Sequence, residues 1–322
     1  MTYRFIQWLW YESRFLYLFF YPFSICVQIT QKIRFYLYHV GFIKSYKLPV
    51  KVIVIGNLTA GGSGKTPLTI NIAQRITSLG LKVGIHVSGY KSKNASEVKI
   101  LDYDSTAEEV GDEALEIAQL TGCKVVKGRD KVRAISTLLK YEPLDVVICD
   151  DGLQHHRLRR DHNILIEDAK DNLNKLYVPF GPFRCSIHEI KSPDLIFTRD
   201  LTDSLNQFRL TPGLIKNIRH ETVSKNFFLL GFHAVTGIAK PKSFFSNLEG
   251  ISENINFHAF PDHFNFSKKD LIFEDDLPIL MTHKDIVKCN EDWGLPIYYL
   301  EGTIDFSSDA EKALDKFLAN IQ

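Results

Sequence analysis

An α/β fold is predicted by this sequence: a mostly parallel sheet with helices on both faces. Three observations predict it. From Val50 onward, short apolar runs rich in β-branched residues alternate with stretches of helical periodicity. A glycine-rich loop directly follows the first apolar run and opens into a helix. The run DVVICD, Asp145 to Asp150, is the clearest strand of all, and it delivers two carboxylates, Asp150 and Asp151, to its carboxyl end.

Each element is justified in turn. Val50 to Ile55 (VKVIVI) is short, β-rich and apolar, as a buried parallel strand should be. In the helix after the loop, Leu68, Ile72, Ile76 and Leu79 share one face, Pro67 fits the first turn and Gly80 ends it. Leu81 to Val87 reads as the next strand. A helix starts near Asp112, with Leu115, Ile117, Ala118 and Leu120 on its apolar face. Lys124–Val126 is a short strand, and the helix after it buries Val132, Ile135, Leu138 and Leu139. Asn163–Glu167 and Asp194–Thr198 add two strands. Near Lys225 the chain restarts as a smaller α/β unit: Phe227–Val235 and Leu277–Thr282 read as strands. Asp309 to Ile321 reads as a helix with Leu314, Phe317, Leu318 and Ile321 inward. The expected organisation is a segment 1–47, a main domain 48–224 and a C-terminal domain 225–322.

Residues 1–47 differ from the rest. They hold 16 of the 39 aromatic residues, and six basic side chains against the single acid Glu12. The most apolar stretch, Phe15 to Val27, is short of the ~20 residues a membrane-spanning helix needs, and Pro22 interrupts it. Three readings compete. A signal peptide would need a charged start, an apolar run and a small-residue cleavage site, and the first two are only loosely present. A buried core helix is the second. The favoured one is a helix lying in the membrane interface, aromatic rings among the headgroups and Lys/Arg toward anionic lipid.

The bulk numbers exclude some classes. With 39 basic and 38 acidic residues the net charge is +1, which argues against a dedicated nucleic-acid binder. The five cysteines are scattered and form no C-x-x-C pair, so they read as reduced thiols rather than a disulfide or zinc framework.

The loop itself reads TAGGSGKT: Thr59, Ala60, Gly61, Gly62, Ser63, Gly64, Lys65, Thr66. It misses the phosphate-loop pattern G-x-x-x-x-G-K-[ST] only at Thr59. The glycines let backbone N–H groups turn inward around phosphate oxygens, and the helix N-terminus adds its positive end. Lys65 is placed to reach the β- and γ-phosphates and Thr66 to put its hydroxyl on Mg²⁺. Such a loop needs a carboxylate at the end of another strand, and Asp150 and Asp151 stand there. The histidines of HHRLRRDH (His155, His156, His162) match no zinc spacing; these side chains read as solvated or phosphate-facing. Arg157, Arg159 and Arg160 suit lipid phosphates or an ordinary charged surface equally.

Seven pieces occur in order: GNLTAGGSGKTP (56–67), VGDE (110–113), GRD (128–130), DDGLQHHRLRRD (150–161), GPFR (181–184), FPDH (260–263) and MTHKD (281–285). With the aromatic N-terminus, they make the chain resemble the tetraacyldisaccharide 4′-kinases of lipid A biosynthesis over nearly its whole length. The resemblance also accounts for Thr59, since this family's loop takes that form. It implies an ATP- and Mg²⁺-dependent lipid kinase, monotopic on the cytoplasmic face of the inner membrane, without an obligate protein partner. Such an enzyme phosphorylates the 4′-hydroxyl of a tetraacylated glucosamine disaccharide 1-phosphate. It further implies Lys65 and Thr66 as the phosphate and Mg²⁺ residues, Asp150 and Asp151 as the acidic metal pair, Asp112 as the catalytic base and His263 as its partner. Through the resemblance, Glu113 beside Asp112 is a candidate substrate residue, and Tyr90 and Arg184 match positions near the lipid headgroup or the nucleotide. Two positions depart from the family pattern: Ser88 stands where an arginine is usual, and His283 where glutamate is usual. A kinase of another glycolipid, or a membrane-bound nucleotide switch, are the competing functions.

Overall fold

The computed structural model describes residue 10 and residues 14–60, 64–89, 92–94, 96–168, 175–190, 193–199, 206–238 and 240–321. Its strands are β1 (Lys51–Asn57), β2 (Val83–Val87), β3 (Lys99–Ile100), β4 (Lys124–Lys127), β5 (Val146–Asp150), β6 (His162–Asp168) and β7 (Leu195–Arg199). They continue with β8 (Gln207–Asn217), β9 (Thr222–Val223), β10 (Phe232–Thr236), β11 (Ile255–Ala259), β12 (Ile279–Thr282) and β13 (Ile297–Phe306). The helices are α1 (Arg14–His39), α2 (Lys65–Ser78), α3 (Ala107–Val110), α4 (Asp112–Thr121), α5 (Lys131–Tyr141), α6 (Pro241–Ser246), α7 (His283–Ile286) and α8 (Ser308–Ala319).

All the strands belong to one sheet, in the order β11-β10-β12-β13-β8-β7-β6-β1-β5-β2-β4-β3, with β9 beside β8. β1 lies between β5 and β6, parallel to both. Its alternating side chains feed two cores. Ile53 and Ile55 pack with Leu68 and Ile72 of α2, Ile117 of α4 and Leu314 and Phe317 of α8. Val52 and Val54 face the other way, toward Val132 and Ile135 of α5. Helices on both faces follow from this period-two alternation of an apolar strand.

The two halves of the sheet meet at an antiparallel ribbon of β8 and β13, with a register shift between Leu300 and Gly302. Beyond it β10, β11, β12 and β13 run parallel to one another around cores of their own.

Some sequence expectations need correction. Leu79 is not on the buried face of α2; it caps the helix end and is 41% exposed, whereas Leu68, Ile72 and Ile76 are fully buried. Phe227–Leu230 is no strand. Lys225–Phe228 form a 3-10 turn and the strand begins at Phe232, so this apolar run is not one extended element. β8 and β13 give no clean strand signal in the sequence. Their burial is patchy, and β8 carries Pro212 and Gly213, which normally argue against a strand interior. Pro212 is tolerated beside the register shift.

α1 runs through Pro22 rather than ending there. One side rests on the body: Phe20 stacks on Phe180, Ser24 accepts a hydrogen bond from Tyr177 N at 2.7 Å, and Phe35 and Tyr38 meet His156. The other side leaves Leu18, Phe19, Phe23, Ile29, Ile33 and Tyr36 exposed, so α1 is not a buried core helix. Among the described residues no helix is long and apolar enough to cross a membrane.

Candidate active site

Gly61, Gly62 and Ser63 lie outside the described residues; the rest of the phosphate loop is described. Thr59 is buried, Ala60 N donates to Pro182 O at 2.7 Å, and Gly64 stands at the N-cap of α2 with φ 84°. That backbone conformation suits glycine, and a Cβ there would also come 3.3 Å from the Phe208 ring. Lys65 donates to Asn57 Oδ1 at 3.0 Å. Arg184 clasps the loop base: its Nε and Nη2 reach Thr59 O at 3.1 and 3.0 Å, Nη2 reaches Asn57 Oδ1 at 2.7 Å, and Nη1 reaches Asp151 Oδ2 at 2.7 Å. Asn57 is thus a shared acceptor that spacing rules did not single out.

Register brings the acids to this loop. Ile55 of β1 pairs with Asp150 of β5, so the two strands end side by side. Thr66 Oγ1 donates to Asp150 Oδ2 at 3.1 Å. The remaining oxygens, Asp150 Oδ1 and Asp151 Oδ1, are buried without a hydrogen-bond partner. Burial pushes Asp150 up to about 6, with Glu113 adding to the rise and Lys65 opposing it. Asp151 goes the other way: burial would raise it, but Lys65 and Arg184 hold it below the usual carboxylate range. Two orphaned carboxylate oxygens beside a threonine hydroxyl fit a hard divalent cation such as Mg²⁺.

Asp112 opens α4. Gly111 before it has φ 91°, which lets α3 stop and α4 start within one residue. The Asp112 carboxylate is buried and meets His263 Nδ1, at 2.8 Å from Oδ2 and 3.1 Å from Oδ1. Burial alone would raise its pKa; the His263 hydrogen bond, Lys284 and Lys288 hold it below the usual range. Asp112, Gly111, Ser92, Asp262, His263 and Lys288 line a cavity of about 510 Å³. His263 has φ 62° and Asp151 φ 57°. Left-handed backbone costs a non-glycine residue about 1–2 kcal/mol, and such strain concentrates at functional positions.

MTHKD turns out to support this carboxylate. Lys284 Nζ pairs with Glu113 Oε1 at 3.0 Å. Asp285, fully buried, accepts from Thr236 Oγ1 at 2.8 Å, Gly237 N at 3.1 Å, Thr282 Oγ1 at 2.7 Å and Lys288 Nζ at 2.9 Å. Gly237 in turn accepts from His263 N at 2.8 Å. The roles of Asp285 and Lys288 were not predicted; the signal was a lysine one helical turn beyond the KD pair. His283 is buried with its Nδ1 3.8 Å from Glu116 Oε1. Burial pushes Glu116 up to about 8 and His283 down to about 3. Burial thus disfavours the charged form of both, and the usual glutamate at 283 would put a second carboxyl group in that space.

Tyr90 lies outside the described residues. Ser88 directly precedes Gly89, and nothing in the structure explains its replacement of arginine. The HHRLRRDH side chains are a mixed set: Arg159 is exposed, as a solvated reading expects, while His155, His156, Arg157 and Arg160 are only partly so. His155 and His156 are both driven down to about 4 by burial, Arg160 donates to Gly152 O and Leu153 O, Arg157 to Asp130 and Arg159 to Ser45. Their hydrogen bonds tie the segment to the protein. No group of three or more His, Cys, Asp or Glu among the described residues is arranged to hold a metal.

A phosphate loop beside orphaned acids, together with a buried carboxylate–histidine pair that lines a cavity, fits a class: a P-loop phosphotransferase acting on an oxygen nucleophile. The relatives are specific. Residues 16–321 match the family model described as tetraacyldisaccharide-1-P 4′-kinase. The tetraacyldisaccharide 4′-kinase of Pseudomonas putida is 37% identical over 286 residues, covering 85% of this chain and 86% of that protein. The one from Ruthia magnifica is 36% identical over 298 residues, covering 91% and 95%. The crystal structure of LpxK from Aquifex aeolicus in complex with ATP superposes with a TM-score of 0.79 at 28% identity, covering 94% of this chain and 99% of that one. The chain belongs to the tetraacyldisaccharide 4′-kinase family.

Proposed function

We propose that this chain transfers the γ-phosphate of ATP to the 4′-hydroxyl of a tetraacylated glucosamine disaccharide 1-phosphate, giving lipid IV-A, with Asp112 as the base. The observation that carries the assignment of the base is the Asp112–His263 contact at 2.8 Å on the wall of the cavity. A sugar hydroxyl must lose its proton as it attacks phosphorus, and a fixed, ionised carboxylate accepts it. His263 orients that carboxylate and, with Lys284 and Lys288, keeps it charged despite burial. Thr66, Asp150 and Asp151 would hold Mg²⁺, which supplies charge neutralisation on the phosphates. Lys65 and Arg184 bring positive charge to the same loop.

The acyl chains need a surface. α1 offers its exposed row of Leu18, Phe19, Phe23, Ile29, Ile33 and Tyr36, flanked by Lys32 and Arg34. An apolar stripe with basic flanks suits the headgroup layer of an anionic leaflet, which supports a peripheral position on the cytoplasmic face of the inner membrane. A nucleotide switch would have no use for a base facing a cavity of about 510 Å³. Purified protein with Mg²⁺, γ-labelled ATP and the tetraacyl disaccharide 1-phosphate should label that lipid. Label passing only to water defeats the kinase reading, and label on a different glycolipid alone defeats the acceptor.

A further inference from the structure

We propose that Lys288 is a second catalytic residue: the acceptor hydroxyl sits between Lys288 Nζ and Asp112 Oδ2, accepting a hydrogen bond from the ammonium while it donates one to the carboxylate. This rests on Asp112 being the base.

The geometry comes from four observations. Lys288 Nζ stands 3.9 Å from Asp112 Oδ2, beyond direct hydrogen-bond length. An oxygen roughly 2.8 Å from each would fit across that gap. Both side chains line the same cavity, where the proposal places the acceptor. The ammonium is already engaged by Asp285 Oδ1 at 2.9 Å, which holds it short of direct contact with Asp112. Asp285 is itself fixed by Thr236, Gly237 and Thr282, and the lysine lies over the Phe266 ring with its Nζ 5.3 Å from the ring centre.

A hydroxyl held at both points has its O–H aimed at the base and a free lone pair toward the cavity. In the transfer, the O–H bond breaks and the proton passes to Asp112 Oδ2. The new O–P bond forms from the hydroxyl oxygen, and the bond between the γ-phosphorus and the β–γ bridging oxygen breaks, its electron pair leaving with ADP. Lys288 keeps its protons; its N–H stabilises the oxygen as negative charge develops on it.

Lys288→Met keeps the stem against Phe266 and removes the ammonium. kcat for lipid phosphorylation should fall about 100-fold with KM for ATP unchanged, and Lys288→Arg should recover part of the loss. Combined with Asp112→Asn, the loss should be well short of the product of the single losses, since both groups grip one oxygen. A Lys288→Met enzyme within about twofold of native kcat, a loss confined to KM for ATP, or strictly multiplicative losses overturns the bridge. Should Lys288→Met lose its cooperative melt, Lys288→Gln carries the same readouts. The two ideas separate cleanly. Near-native Asp112→Asn removes the base and the bridge together, whereas a slow Asp112→Asn beside a native-like Lys288→Met removes the bridge alone.

Discussion

His263 Nδ1 lies 2.8 Å from Asp112 Oδ2, a contact between residues 151 positions apart in the chain. The histidine is held in left-handed backbone at φ 62°, and its N–H is pinned to Gly237 O at 2.8 Å. The strain buys an orientation for the carboxylate that a relaxed loop would not maintain. Asp112→Asn should therefore lower kcat by about 10²- to 10⁴-fold while ATP still binds. Nucleotide binding followed by calorimetry checks the second half; an effect on ATP affinity alone would make Asp112 a nucleotide residue. His263→Ala should be milder and should move the acid limb of kcat upward, because it removes the hydrogen bond that holds Asp112 down.

The proposed metal site predicts a split between the loop residues. Lys65→Ala should abolish transfer. Thr66→Val removes the hydroxyl now 3.1 Å from Asp150 Oδ2, and should raise the Mg²⁺ concentration for half-maximal activity by about tenfold. Titrating Mg²⁺ at fixed ATP measures it, and an unchanged midpoint would remove Thr66 from the metal site. Chelation should stop transfer and leave the fold intact.

Glu116 predicts a pH dependence of stability. Its folded pKa is raised by burial from 4.5 to about 8. In that window the folded chain keeps a proton that the unfolded chain has released, so the group's contribution is complete below pH 4.5 and is lost as pH rises through about 8. The slope cannot exceed about 1.4 kcal/mol per pH unit. Glu116→Gln has no proton to lose, so its urea midpoint relative to native should climb from pH 5 to pH 9. A constant difference across that range would show Glu116 charged in the fold.

Residues 1–28 include the most apolar part of the exposed α1 row. Their deletion should release the protein from membrane fractions, and Phe19→Asp with Phe23→Asp should weaken binding to anionic vesicles. Both phenylalanines are at least half exposed, so the pair should cost little stability. Unchanged membrane recovery of the truncated chain removes the anchoring role.

Much of the nucleotide site is legible in short stretches of the chain. β1, the loop and α2 form a contiguous strand–loop–helix, and Asp150 ends a strand whose apolar run is unbroken. Each signal lies within about ten residues of chain, where periodicity and turn chemistry act locally. Asn57 and Arg184 are harder. Asn57 lies within GNLTAGGSGKTP with no role that spacing assigns, and Arg184 reaches it from 127 residues away. Leu79 misleads because a helix face predicts burial only while the helix continues, and this one ends at Ser78.

What the sequence determined by itself was the phosphate chemistry and the two-faced sheet around β1, since alternating apolar residues and a glycine-lysine-threonine helix start admit few other folds. Composition and motifs also placed an aromatic, basic segment ahead of that sheet and, through resemblance, supplied an acceptor. The resemblance already pairs His263 with Asp112; only the tertiary structure decided that Asp285 anchors both Lys288 and the loop that carries His263, so that Lys288 converges on the same carboxylate. That convergence passes through the β8–β13 ribbon, whose mixed burial gives no clean alternation to read. Hydrogen bonds spanning more than a hundred residues exist only after the sheet has closed, so no local pattern records them.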